Sequence, residues 1–182
     1  MIETDRLLLR PPGAGDVDAI YRIVSDPEVM RWIGRNGETG TYDDAVERLE
    51  RHMRAWELDG FGLFIVVPRE LGVPVGRVGL LVWDPETWAN GFRAEIGDRG
   101  EVELGWTLER AVWGRGYATE SAIAIRDWTL REVQPRRLIS LIHPANEPSI
   151  GVAKRIGERY EHDIVMHHGA AVGLWALPSA GE

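Results

Sequence analysis

Cysteine is absent from the 182-residue chain, which removes a disulfide framework, thiolate zinc sites and a cysteine nucleophile together. Any thiol chemistry has to arrive with a ligand. Also missing is an apolar run long enough to span a bilayer. The N-terminus, with Glu3, Asp5, Arg6 and Arg10 around a short apolar stretch, lacks the layout of a signal peptide. A cytoplasmic protein with no membrane partner is the expectation. A basic surplus is missing too: the net charge is −8, which disfavours nucleic acid, whose binding requires a cationic face. The acidic balance suits an amine or cationic substrate, and it serves solubility equally well. No internal repeat and no low-complexity segment interrupts the chain.

What is present reads as one domain over residues 1–182. Ile2 to Arg10 reads as a strand stopped by Pro11-Pro12. Asp16 is placed to cap a helix carrying Val17, Ile20, Tyr21 and Val24, which Asp26-Pro27 closes, and a second helix covers about Tyr42 to Leu58 with the stripe Val46, Leu49, Met53 and Trp56. Phe61–Val67 and Val75–Val82 form an antiparallel pair. Asp84–Gly100 has no periodicity and reads as a substrate-side loop or a disordered one, with Trp88 as an anchor. Val102–Leu108 is a strand, Ala118 to about Val133 a helix, and Leu138–Ile142 an apolar strand. A short helix runs from Asn146-Glu-Pro through Arg155, with Gly157 as its stop, and strands near Tyr160–Met166 and Ala171–Ala176 close the chain. This order predicts an α/β or α+β sandwich around one mixed sheet, helices on both faces.

The richest stretch is Glu103 to Glu120, where a strand, a glycine-rich turn and a helix start follow without a break. Free N–H groups at a helix start and the helix dipole together favour an anion there, and Gly114 and Gly116 let its backbone approach closely. A Walker loop needs Gly-Lys-Ser/Thr, and a dinucleotide fingerprint needs a small residue where Glu120 stands. Nucleoside triphosphates and NAD are therefore disfavoured.

The turn Trp113-Gly-Arg-Gly116-Tyr-Ala118 resembles the acyl-CoA loop of the GNAT superfamily of N-acetyltransferases, Gln/Arg-x-x-Gly-x-Gly/Ala, with Trp113 in place of the first residue. The run Trp-Gly-Arg-Gly-Tyr-Ala-Thr-Glu is similar to the RimJ/RimL-type branch. Glu3-Thr-Asp-Arg-Leu-Leu-Leu-Arg-Pro11, Ser25-Asp-Pro-Glu-Val, Val102-Glu-Leu-Gly-Trp106 and Asn146-x-x-Ser149 follow that branch's order. The resemblance implies a mostly antiparallel sheet with a V-shaped opening between the strand ending near Leu108 and the one beginning near Leu138. Acetyl-CoA would occupy that opening, with no metal required. The backbone of Trp106, Thr107 and Leu108 would pair with the pantetheine arm, and the amides of Trp113, Gly114, Arg115, Gly116, Tyr117 and Ala118, with Thr119 in the first helical turn, would hold the pyrophosphate.

Several roles stay open at this level. Arg115 reads as a phosphate contact or a solvated surface arginine, and Glu120 as a structural carboxylate, since a phosphate would repel it. Asn146 is a ready helix cap, and the resemblance adds a bond to pantetheine. The same resemblance places Ser149 near the sulfur as the acid for the departing thiolate, because Ala153 stands where many relatives carry a tyrosine. Strand alternation puts Glu103 on one face with Glu101 and Gly105, opposite Leu104 and Trp106. It reads either as the base that takes the amine's proton or as a solvent-facing carboxylate. His143, His162 and the pair His167-His168 lack zinc spacing, though His143 is placed to line a cleft. The expected activity is direct acetyl transfer to a protein N-terminus or a small amine, by a monomer or homodimer. A non-catalytic acyl-CoA-binding sensor or assembly module is the alternative from another class.

Overall fold

A computed structural model describes residues 1–33 and 37–178. Its strands are β1 Ile2–Glu3, β2 Leu7–Arg10, β3 Leu63–Pro68, β4 Gly76–Trp83, β5 Asn90–Gly91, β6 Glu101–Leu108, β7 Leu138–Ile142, β8 Arg159–Val165 and β9 Ala171–Ala176. The helices are α1 Val17–Val24, α2 Pro27–Ile33, α3 Tyr42–Asp59, α4 Arg93–Ile96, α5 Tyr117–Trp128 and α6 Glu147–Arg155. All strands join one sheet in the order β1-β2-β3-β4-β6-β7-β9-β8, with β5 beside β4. Every pairing is antiparallel except β6 with β7. The mixed sheet with helices on both faces is the architecture the sequence implies.

Alternation along β4 and β6 decides what each face carries. Val78, Leu80, Val82, Val102 and Leu104 pack with Ala122 and Ile125 of α5 and with Val152 of α6. The opposite face of β3 sends Ile65 into a separate cluster with α1, α2 and α3. Arg77 and Thr107 are register partners, as are Leu81 and Glu103, so Arg77, Glu103 and Thr107 share the α3 face. In α3 the residues turned inward are Ala45, Leu49 and His52. That helix starts at a reciprocal cap, Thr41 Oγ1 accepting from the Asp44 amide at 3.2 Å and Asp44 Oδ2 accepting from the Thr41 amide at 2.6 Å, and it stops at Gly60 in the left-handed region.

Several expectations need correction. The opening strand is a hairpin, because Thr4 to Arg6 turn the chain and pair Ile2 with Leu9. Asp16 does not cap α1 through its side chain; its carboxylate takes Arg10 at 2.6 and 2.7 Å and the Gly13 amide at 2.8 Å. Arg10 beside it and the Gly13 amide hold that carboxylate low against the raising effect of burial. Asp26-Pro27 ends one helix and starts another: proline lacks the N–H that a first helical position would leave unused, so Pro27 opens α2. Asp84–Gly100 is built of β5 and α4, and Trp88 does anchor it, packing with the cluster around Ile139 and Met166. Residues 34–36, between α2 and α3, lie outside the described residues. No helix among the described residues is long and apolar enough to cross a membrane.

Candidate active site

β6 and β7 pair only at Val102 with Leu138 and Glu103 with Ile139, and beyond that point the two strands part. Two side chains take up backbone groups that the parting leaves free, one on each face of the sheet. Glu103 Oε1 accepts from the Leu141 amide at 3.4 Å, and Ser140 Oγ donates to the Leu104 carbonyl at 2.7 Å. Glu109 N–H bonds back to Val75 of the neighbouring chain segment. Antiparallel alternation therefore turns the backbone groups of Thr107 toward β4 and those of Leu104, Trp106 and Leu108 toward the opening. Thr107 thus lines the α3 side with its side chain, and its backbone is not in the opening. The Leu108 carbonyl is taken by the Trp113 indole at 2.8 Å.

The glycine turn leaves β6 and enters α5 at Gly116. Gly114 and Gly116 have φ of +75° and +81°, the left-handed region that side chains avoid, and no side chain caps the helix. Trp113 N–H is spent on Arg110 at 3.1 Å, so Trp113 donates no amide to an anion. From Gly114 to Thr119, the N–H groups meet no acceptor among the described residues. A run of outward N–H groups on a left-handed turn at a helix N-terminus is a receptor for a phosphate-like anion. The long 12-residue α5 and the side-chain space at Gly114, where nothing stands within 4 Å, fit that reading.

The charged residues around the turn are mostly paired with protein. Arg115 meets Glu70 at 3.2 Å, and Tyr117 donates its hydroxyl to the same carboxylate at 2.6 Å. Those contacts hold the Glu70 carboxylate low, the Tyr117 hydroxyl contributing most, and raise the Tyr117 phenol. Glu120 is structural: it accepts from Thr4 at 2.6 Å and from the Arg6 side chain at 2.7 Å. Arg6 also donates to the Arg115 carbonyl at 2.9 Å, so the β1–β2 turn is clamped to the start of α5. Ala118 packs toward the core beneath the turn.

Glu103 is not a solvent-facing carboxylate. It is 7% exposed on the wall of a cavity of about 1200 Å³ between the opening and α3. Burial raises its pKa to about 7, against the lowering pull of the Trp83 indole, which donates at 2.6 Å, the Leu141 amide and the charge of Arg77. Glu101, on the same face, is instead tied to Arg136 at 2.7 Å. Ser149 sits in the first turn of α6, its Oγ accepting from the Trp106 indole at 3.3 Å, an arrangement that leaves the hydroxyl hydrogen uncommitted. Asn146 caps α6, accepting from the Ser149 amide at 3.3 Å. Ala153 is wholly buried against Ile142 and Trp175. His143 lines the cavity, its ring edge-on to Trp32.

Three further groups were not singled out from the sequence. His52 Nε2 lies 2.8 Å from the Arg77 guanidinium, in the inner part of the same cavity. Period-two reading of β4 already puts Arg77 on the Glu103 face, and helical spacing from Leu49 to Trp56 puts His52 on the buried stripe, so both signals were available. The third, Glu158, is 3% exposed on the α6 side of the fork, and burial, with the charge of Glu103, raises its pKa to about 8. Ser140 has one hydroxyl hydrogen, committed to the Leu104 carbonyl. The 3.0 Å contact between Ser140 Oγ and Glu158 Oε1 is therefore satisfied when Glu158 is protonated. A carboxyl whose folded pKa exceeds its unfolded one contributes stability below about pH 4.5 that is lost as pH rises through 8. The shift amounts to on the order of 5 kcal/mol at full ionisation. Glu158→Gln is expected to match the wild-type melting temperature at pH 5 and to exceed it at pH 9; parallel curves over that range would refute the protonated assignment.

The chain is similar across its length to proteins of known sequence and fold. The model of the acetyltransferase (GNAT) domain family matches residues 6–159. YkkB of Bacillus subtilis (strain 168), an uncharacterised protein, is 28% identical over 178 residues, 97% of this chain and 91% of its own. The uncharacterised N-acetyltransferase YnaD of the same organism is 29% identical over 160 residues, 88% of this chain and 83% of its own. The crystal structure of an acetyltransferase from Agrobacterium tumefaciens str. C58 superposes with a TM-score of 0.76 at 26% identity, covering 98% of this chain and 94% of the other. With the forked sheet and the glycine turn where that fold requires them, the chain belongs to the GNAT acetyltransferase family.

Proposed function

We propose that this protein moves the acetyl group of acetyl-CoA to a primary amine by direct attack within a ternary complex, the acceptor being a small amine or a protein N-terminus. The observation that carries the reading is Glu103, a buried carboxyl with a pKa near 7 beside an unpaired strand edge that leads to an unsatisfied helix N-terminus. Acetyl-CoA supplies a thioester carbonyl in the opening. The amides from Gly114 to Thr119 hold its pyrophosphate, and the Trp106 backbone with the Asn146 side chain aligns its pantetheine arm. Glu103 accepts the ammonium proton, directly or through one water, which its pKa allows at neutral pH. A backbone N–H facing the opening, from Trp106 or Leu108, stabilises the oxyanion. Ser149 relays a proton: its hydroxyl hydrogen passes to the leaving thiolate as its oxygen takes the second proton from the nitrogen of the collapsing tetrahedral adduct, and the Trp106 indole holds that oxygen in place.

The similarity of four ordered sequence blocks to the RimJ/RimL-type branch supports a peptide N-terminus as one acceptor class, and the cavity beside Glu103 supports a small amine as the other. Thiol release on mixing the protein with acetyl-CoA and a panel of amines and short peptides tests the reading. Turnover with any of them upholds it. A raised melting temperature with acetyl-CoA and no turnover across the panel would return the protein to the sensor or assembly class.

A further inference from the structure

Arg77 lies at the inner part of the cavity and shares the sheet face of Glu103. Its side chain is half-buried and lines the cavity wall. Of its five N–H donors, one meets His52 Nε2. Because a guanidinium can only donate, Nε2 is the acceptor and the ring proton sits on Nδ1, which is itself buried without a partner among the described residues. Burial, reinforced by Arg77, Arg48 and Arg51, keeps this imidazole neutral, well below its ordinary pKa. The arginine thus faces a neutral ring where an ion pair would call for a carboxylate. Burial first, and then the like charge of Arg48, pulls the Arg77 pKa to about 10, so it remains a cation at neutral pH.

Three of the carboxylates that share this cavity are committed elsewhere, and the fourth, the exposed Glu47, makes no ion pair with Arg77. Asp44 caps α3 through Thr41, Asp59 accepts the Arg93 and Ala94 amides at 2.8 Å each, and Glu103 holds Trp83 and Leu141. Arg48 faces the same space and adds a second positive charge. A guanidinium with open donors and no carboxylate in ion-pair contact among the described residues, Glu103 acting on it only through its charge, is a costly arrangement for a fold to keep. It becomes favourable when a planar oxyanion enters and takes two parallel N–H bonds.

We propose that the acetyl acceptor is an amine that also bears a carboxylate, received by Arg77 with Arg48 beside it while the amine reaches Glu103. This deepens the acetyltransferase reading and rests on it. The carboxylate belongs either to a free amino acid or to an acidic residue near a peptide N-terminus. Both present the same group to Arg77, and separate arms of one experiment tell them apart.

The test uses matched pairs in which only one partner bears the carboxylate: 5-aminopentanoate against 1-aminopentane, alanine against alaninamide, and C-terminally amidated peptides beginning Asp or Glu against Asn or Gln. Carboxylate acceptors are expected to show kcat/KM about 10- to 100-fold above their neutral partners, the span of a charge-assisted bond, with the gain chiefly in KM. In Arg77→Gln that preference collapses toward unity. A second readout needs no turnover: a preferred carboxylate raises the melting temperature of the wild type and leaves that of Arg77→Gln unmoved. Arg48→Gln keeps the test independent of folding at position 77, and its expected result is a smaller loss of the same preference. Turnover of neutral amines at rates equal to their carboxylate partners would overturn the inference and leave the acetyltransferase reading standing. Absence of turnover with every amine would instead sink both.

Discussion

Glu103→Gln is expected to lower kcat for amine acetylation by about 100-fold or more, the range for losing a positioned base, while the affinity for acetyl-CoA changes little. Rate alone does not separate catalysis from structure. The glutamine must place an amide among two donors, the Trp83 indole and the Leu141 amide, so one oxygen bond is replaced by a donor-to-donor conflict. The pH profile separates the two. A base works when deprotonated, so the wild-type rate should climb with pH through about 7, the value to which burial raises Glu103, and level off above it. In the variant that limb should vanish. A variant that is slower but retains the same inflection near pH 7 would show that another group takes the proton.

Gly116→Val should weaken acetyl-CoA binding at least 100-fold by calorimetry. At φ of +81° a β-branched residue is strained, costing on the order of 1–3 kcal/mol. A Cβ there would also stand 3.3 Å from Arg6 Nη2, disturbing the clamp that holds the start of α5. Relief of that strain swings the free N–H groups away from their common focus. Gly169→Ala is the control: its φ is +89° and nothing lies within 4 Å of the added carbon, so it carries similar strain far from the turn. Loss of stability in both with loss of affinity only at position 116 is the expected outcome. Equal affinity in Gly116→Val and wild type would refute the cradle.

The sequence was most legible where one local rule acted alone. Leu138–Ile142 and Ala171–Ala176 match their strands to the residue, because an apolar run between turns permits little else. Local rules fell short where one residue satisfies two neighbours: Pro27 closes one helix and opens the next, and Asp16 prefers Arg10 to its own helix. The site was half legible. The Glu103 face followed from alternation, and the glycine turn from its anion-binding logic. Burial of Glu103 did not follow, because it depends on α3, Trp83 and Leu141 converging from three parts of the chain. The net charge misdirects in the same way: an acidic total of −8 conceals a cavity that holds Arg48 and Arg77 without an ion-paired carboxylate among the described residues.

The brief pairing of β6 with β7 also divides the molecule mechanically. Strands β1 to β6 form one raft and β7 to β9 another, held along the seam by two register pairs, the side-chain bonds of Glu103 and Ser140, and the pair of Arg136 with Glu101 at its end. Such a seam opens more readily than the interior of either raft, so amides of β7 are expected to exchange with deuterium ahead of those in β3 and β4. A molecule seated in the opening bonds to both rafts at once, and slowed exchange should then spread to β8 and β9, strands that it never touches.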